Sequence, residues 1–290
     1  MEFPYGKIIL PPNGFTPPEQ WPEFNALTHP PTICAKEEVG KNPKGVRWSL
    51  WPLTFEEYVS DSEPDLAAST TGKLARNRLV TWKRIGRTDV PHGWRVGKSP
   101  WRIDGVYNLQ ENPHYIKDWS QTERRHQHKW ATSVAQKIYQ IEEISMNEFA
   151  NAYTKSIVAK KFGIELLLLT KRKHAVADTQ NLVLYGVRDM ASQAIIAGTA
   201  VIYSPTHKGS TCESRFMLPT ARGTYAMTGL MNHWFAESQK RGIVFLVFMY
   251  FWYPGAPKKW RGFSEFKSHF CKHYIAYPPE LTRFVRGKLF

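Results

Sequence analysis

Residues 243–251, IVFLVFMYF, run almost without a polar side chain and stop just before Pro254-Gly255. A run with no polar alternation reads as a strand buried on both faces, as in the middle of a mixed sheet covered by helices. It is too short to span a bilayer. Such a strand needs neighbours and layers above and below it. The 290 residues leave room for one large domain or two small ones with a real core.

The neighbours can be read from the preceding chain. Ser120 to Glu123, SQTE, is a capping-box signature that predicts a helix through Val134. KIYQIEEI alternates and predicts a strand. Ser145 to Glu148, SMNE, opens a second helix with Met146, Phe149, Ala150, Tyr153 and Ile157 on one face. GIELLLLTKRKHAV predicts a further helix with a cationic last turn. NLVLYGVRD and QAIIAGTAVIY predict a hairpin. Met227, Leu230, Met231, Trp234, Phe235 and Ser238 face inward from a helix closed by Gly242. The order is strand, helix, helix, strand, strand, helix, strand, and then the aromatic and basic segment KKWRGFSEFKSHF.

The first 115 residues differ. They are rich in proline (Pro11, Pro12, Pro17, Pro18, Pro22, Pro30, Pro31) and tryptophan (Trp21, Trp48, Trp51, Trp82, Trp94, Trp101). Irregular loops with short strands, pinned by aromatic anchors, are expected there. Within this region GKLARNRLVTWKRIGRTDVPHGWRVGKSPWR sets many cations against the single acid Asp89. Cations interleaved with tryptophan suit a nucleic-acid or phosphate surface; the alternative is a basic hairpin whose tryptophans are core. The whole chain carries a net charge of +14, which favours a polyanionic partner: nucleic acid, anionic lipid or phosphorylated precursor. Cys34, Cys212 and Cys271 are far apart and form neither a disulfide framework nor a zinc pattern, so a reducing cytoplasm is expected. MEFPYGKIILPPNG shows no secretory signal. No metal is expected, because His126 and His128 at i and i+2 point to different sides of their helix.

YQIEEISMNEFANAYTKS, LVLYGVRDMASQAIIAGTAVIY, HWFAESQKRGIVFLVF and FWYPGAPKKWRGFSEFKSHFCKHYIAYPPELTRF, taken in this order, resemble the FemABX branch of GNAT-like acyltransferases. The last stretch is the most specific: a Gly, then an aromatic-Lys pair, then another aromatic. The resemblance covers residues 116–290 and implies an α+β fold, a GNAT-like mixed sheet flanked by helices. Residues 1–115 are then a separate basic region, either a truncated first GNAT-like copy or an unrelated extension. The implied activity is transfer of an amino acid from aminoacyl-tRNA to an amine of a peptidoglycan precursor, nucleotide- or lipid-linked, without a cofactor. The implied setting is the cytoplasm, with peripheral contact to the anionic inner face of the membrane. The resemblance also points to Phe266 and Lys267 as the pair nearest the reacting centre.

The residues themselves give a compatible account. Phe263, Phe266 and Phe270 share one helical face, expected to pack on the sheet, with Lys267 at its edge. A partly desolvated ammonium there would stabilise an ester-derived oxyanion by roughly 2–4 kcal/mol, as single oxyanion-hole donors do. Lys258, Lys259 and Arg261 suit phosphates of the tRNA end or of the precursor, or else form a solvated loop. Gly262 is expected to permit a tight turn or close backbone approach. Tyr153 is a candidate pocket wall, with core packing as the alternative.

Two departures from the family pattern stand out. No carboxylate accompanies Val247, Phe248, Met249 and Tyr250 at the end of the buried strand, where relatives carry one. Cys271 stands where Gly is usual, and as a buried small hydrophobe it is not expected to be a nucleophile. A CoA-dependent N-acyltransferase is the rival enzyme reading. Its pyrophosphate loop would be PTARGTYAMTG, in which Gly223 fits but Thr220 and Tyr225 replace the expected residues; Arg222 still suits a phosphate. A catalytically degenerate protein that binds RNA or an anionic surface is the non-enzyme reading.

Overall fold

The computed structural model describes residues 3–21, 36–38, 45–50, 53–60, 62–64, 66, 77–176 and 181–286. Cys34, Pro22, Pro30, Pro31 and residues 72–76 of the basic stretch lie outside them. In chain order the strands are β1 (Lys7–Ile8), β2 (Lys36–Glu38), β3 (Gly45–Leu50), β4 (Leu53–Val59), β5 (Asn77–Lys83), β6 (Arg95–Pro100), β7 (Ile103–Asn108), β8 (Tyr139–Glu143), β9 (Leu182–Asp189), β10 (Ile195–Ser204), β11 (Gly209–Met217), β12 (Phe245–Phe248), β13 (His273–Ala276) and β14 (Pro279–Val285). The helices are α1 (Gln121–Ala135), α2 (Met146–Thr154), α3 (Ile157–Phe162), α4 (Glu165–Val176), α5 (Ala226–Lys240) and α6 (Arg261–Ser268). No helix among the described residues is long and apolar enough to cross a membrane.

The chain divides into two units, Met1–Thr28 with Asp104–Ile275, and His29–Ile103 with Ala276–Phe290. The position 115/116, expected as a boundary, falls inside the first unit, because β7 pairs with β12 there.

The first unit holds a mixed sheet in the order β1-β13-β7-β12-β11-β10-β9-β8. All four residues of β12 are buried. β7 lies antiparallel on one side of it and β11 parallel on the other. This is the doubly covered central strand that the apolar run requires. β11 has no apolar signature, and the sequence order omits it. Its polar side chains are buried because each finds a partner. Ser210 meets Ser238 at 3.0 Å and accepts from Trp234 Nε1, Thr211 donates to the Val247 carbonyl at 2.8 Å, and Ser214 meets Thr170 at 2.9 Å.

Helices cover both faces of this sheet. Phe149 and Tyr153 of α2 pack on Phe216, and α4 reaches Ser214 through Thr170. On the other face α5 sets Trp234 against Phe248 and Ser210. Helix α1 crosses α5 at Gly229, where an added Cβ would lie 2.2 Å from the Trp130 ring. The starts of both α1 and α2 are as the capping boxes predict. Ser120 accepts from the Glu123 amide, while Ser145 and Glu148 cap one another reciprocally. Helix α2 stops at Thr154, however, and Ser156 caps a new helix, so Ile157 does not extend the α2 stripe.

The second unit holds a sheet in the order β2-β3-β4-β5-β14-β6. The short strands expected in the Pro- and Trp-rich region pair here. Trp82 and Trp94 are buried against each other with ring centroids 5.4 Å apart. Their indole N–H groups donate to the Ser60 carbonyl and to Glu63. These two tryptophans are core, not a platform for nucleotide bases.

Candidate active site at the end of the central strand

β11 and β12 start side by side and then part. Their parallel ladder covers only Gly209–Thr211 against Phe245–Val247. β11 continues to Met217, while the other chain leaves at Phe248. A bulge in β11 skips Glu213: Val201 faces Cys212, but Ala200 faces Ser214. Because paired residues share a face, the bulge turns Arg215 onto the face that carries Ser210 and Cys212.

Lys267 stands at the parted end. Helix α6 buries Ser264 and Lys267, and leaves Phe263 41% exposed with Phe266 only half-buried. The expected phenylalanine face is therefore corrected: the polar pair Ser264 and Lys267 points inward, and only Phe270, beyond the helix, is fully buried. The reason is the loop after β12, whose backbone needs partners. Lys267 Nζ donates to the carbonyls of Met249 at 2.5 Å and Tyr250 at 3.4 Å. Ser264 Oγ accepts from the Trp252 amide at 2.6 Å and donates to the Trp260 carbonyl. Tyr250 has a left-handed φ of 60°, which allows the chain to present both carbonyls.

A carboxylate does stand beside the end of β12, carried by another strand. Gly105 of β7 pairs with Phe248, so Asp104 sits one step past the end of β12. It is fully buried, and Oδ1 accepts from the Tyr250 amide at 2.9 Å. Sequence reasoning missed it because the two residues are 146 positions apart and only the register brings them together.

Only 9% of Lys267 is exposed. Burial pushes its amine down to about 7, and the Arg215 guanidinium pushes the same way; Asp104, Cys271 and Cys212 oppose both. Cys271 lies behind the lysine, its thiol donating to the Lys267 carbonyl at 3.7 Å. Burial raises that thiol to about 12, which suits a packing residue and not a nucleophile.

The other candidates fall into three groups. Lys258, Lys259 and Arg261 are exposed at the start of α6, with the Arg261 guanidinium 5.5 Å from the Trp252 ring. Arg222 is exposed before α5, apart from them in sequence. Gly262 and Tyr153 are corrected. Gly262 lies within α6, and an added Cβ would meet nothing within 4 Å, so no close approach requires glycine there. Tyr153 is wholly buried between Phe149 and Phe216, so it is core and lines no pocket. Two open cavities, about 560 and 540 Å³, lie elsewhere: one between Trp130, Tyr139 and His233, the other between Asn13, Asn108 and His207.

No protein-family model matches the chain, and no curated protein matches it by sequence. Solved structures do. FemX superposes with a TM-score of 0.60 at 8% identity, covering 87% of this chain and 88% of that one. L-PGS from Bacillus licheniformis gives 0.56 at 12%, covering 88% and 85%. The C-terminal domain of a putative lysylphosphatidylglycerol synthetase from Agrobacterium fabrum gives 0.54 at 11%, covering 90% and 86%. The chain thus has a FemABX-like, GNAT-like α+β fold, as its motifs imply.

Proposed function

We propose that this FemABX-like chain is an amide-forming aminoacyltransferase that takes its amino acid from aminoacyl-tRNA. Its acceptor would be an amine of a nucleotide- or lipid-linked peptidoglycan precursor. One observation carries the reading: an almost wholly buried lysine amine, held by two backbone carbonyls where β11 and β12 part.

The chemistry follows from that amine. An acceptor amine attacks the ester carbonyl of the donor, and negative charge develops on the carbonyl oxygen. The ester C–O bond then breaks, the new C–N bond remains as an amide, and one proton passes from the attacking amine to the ribose oxygen. An ammonium has three N–H donors. The carbonyls of Met249 and Tyr250 use two, leaving the third for the oxyanion or the departing oxygen. A group that titrates near neutrality can give its proton to the ribose oxygen and recover one from the attacking amine. Asp104 is buried behind the Tyr250 amide, so its role is to hold the loop and favour the charged lysine, not to meet the acceptor. Arg261, Lys258 and Lys259 would hold phosphates at the rim, and Phe266 would wall the lysine.

The CoA reading has less support. Tyr225 begins α5 in a left-handed conformation with its ring stacked on His126 at 4.7 Å, where a pyrophosphate loop would need glycine or alanine. Label transfer from charged tRNAs to candidate precursor amines, with wild type and Lys267→Ala in parallel, tests the proposal. Transfer is expected with wild type and is expected to fall steeply without the lysine. Tight acetyl-CoA binding without any transfer from tRNA would replace this reading with the N-acyltransferase.

A further inference from the structure

We infer that the exposed face of α1 is a docking surface for the phosphate backbone of RNA. Within α1 stand Arg124, Arg125, His126, His128 and Lys129, against one acid, Glu123. That acid is turned inward and only 5% exposed. Its Oε2 accepts from Thr228 Oγ1 at 2.6 Å, and its Oε1 faces His126 Nδ1 at 3.1 Å. Arg124, Arg125, His128 and Lys129 are all exposed. None of the three permanent cations has a carboxylate partner among the described residues.

This arrangement opposes helix stability. Arg125 and Lys129 are four residues apart, and like charges at that spacing repel. An ordinary solvated helix mixes acids into such a face. A polyanion relieves the repulsion and gains from counterion release. Beside the cations lies a flat ring. Tyr225 is half-buried, stacked on His126, and accepts from Lys129 Nζ at 3.2 Å. Exposed Arg222 stands three residues earlier in the same segment. A ring flanked by cations without carboxylate partners suits a nucleic-acid strand, whose bases stack while its phosphates bind. An anionic bilayer fits less well, because interfacial helices insert an apolar face, and Trp130 of α1 is buried against α5.

The identity of the RNA as the amino-acid donor rests on the function proposed above; the charge argument does not. The test is fluorescence anisotropy with a labelled, uncharged tRNA from 50 to 300 mM salt, comparing wild type with R124Q/R125Q/K129Q. Thermal melts establish that the variant is folded, and R125E alone serves if it is not. The triple variant is expected to bind at least about tenfold more weakly, with a salt slope lower by roughly 2–3. Equal affinity and slope overturn the inference. So does unchanged tRNA binding with lost sedimentation on phosphatidylglycerol vesicles, which would assign the face to membrane. Wild-type tRNA binding through these residues, with no aminoacyl transfer, keeps the inference and removes the proposed function. Full transfer by the triple variant at limiting tRNA does the reverse.

Discussion

Lys267 and Asp104 share Tyr250. The tyrosine gives its amide hydrogen to Asp104 Oδ1 at 2.9 Å and offers its carbonyl to Lys267 Nζ at 3.4 Å. The pair makes a prediction about pH. If the charged lysine is the donor, kcat/KM should fall as pH rises through about 7. Asp104→Asn keeps an acceptor for the Tyr250 amide but removes the negative charge that holds the lysine up. The fall should then begin at lower pH. A descending limb that stays in place or moves upward would falsify the link.

Removing the amine tests its share of the chemistry. Lys267→Ala should lower kcat by roughly 10²–10³-fold, the loss typical of one oxyanion donor. Lys267→Arg keeps a charge but cannot lower its pKa to neutrality, and its planar fork does not fit two carbonyls met by one nitrogen. It should recover little. Single-turnover transfer with saturating donor separates this from a binding defect, and full recovery by arginine would exclude a proton-giving role.

Stability should carry the same signature. The lysine titrates near its ordinary 10.5 in the unfolded chain and near 7 in the fold. Below pH 7 both states are protonated, and the fold bears the whole cost of a buried charge. Between 7 and 10.5 the unfolded chain holds a proton that the fold has lost, so stability rises with pH. Lys267→Met abolishes this slope. Its stability relative to wild type should be most favourable at pH 6 and decline toward pH 9.5, read as urea midpoints. A relative stability that improves with pH would contradict the burial of the charge.

How far the sequence reveals this site depends on the range of the interactions. The capping boxes at Ser120 and Ser145 are local, and both open helices as read. The central strand is legible because Phe245–Phe248 are buried whatever their partners. β11 escapes notice because Ser210, Thr211 and Ser214 are paid for by hydroxyl and carbonyl partners far along the chain. The phenylalanine periodicity of α6 misleads for a related reason. The Met249 carbonyl and the Trp252 amide after β12 draw Lys267 and Ser264 inward, and apolarity alone does not set the buried face. Asp104 is visible only once β7 and β12 are in register.

Gly262 offers a simple check on that helix. It is exposed in the first turn of α6, with open space where a Cβ would go. Gly262→Ala should stabilise the protein by roughly 0.4–1 kcal/mol, by lowering the entropy of the unfolded chain and favouring helix. The change is read in urea unfolding. A loss of stability would mean that the position does need glycine, by a contact or conformation absent here.

Gly105 is the opposite case. It lies in β7 beside Asp104, and an added Cβ would come within 2.5 Å of Cys271 Sγ and 2.8 Å of the Phe251 ring. Strand β7 is held on both sides by β12 and β13, so it has little room to shift. Gly105→Ala should therefore destabilise by roughly 1–3 kcal/mol, the usual cost of overpacking. Cys271→Ala removes the nearer obstacle and leaves the ring. The double variant should be less destabilised than the sum of the single variants, with a coupling of at least about 0.5 kcal/mol, yet remain below wild type. Strict additivity in urea unfolding would show that the strand yields to the new methyl without pressing on the cysteine. The close approach of Cys271, in the turn after α6, to β7 would then not explain why glycine stands at 105.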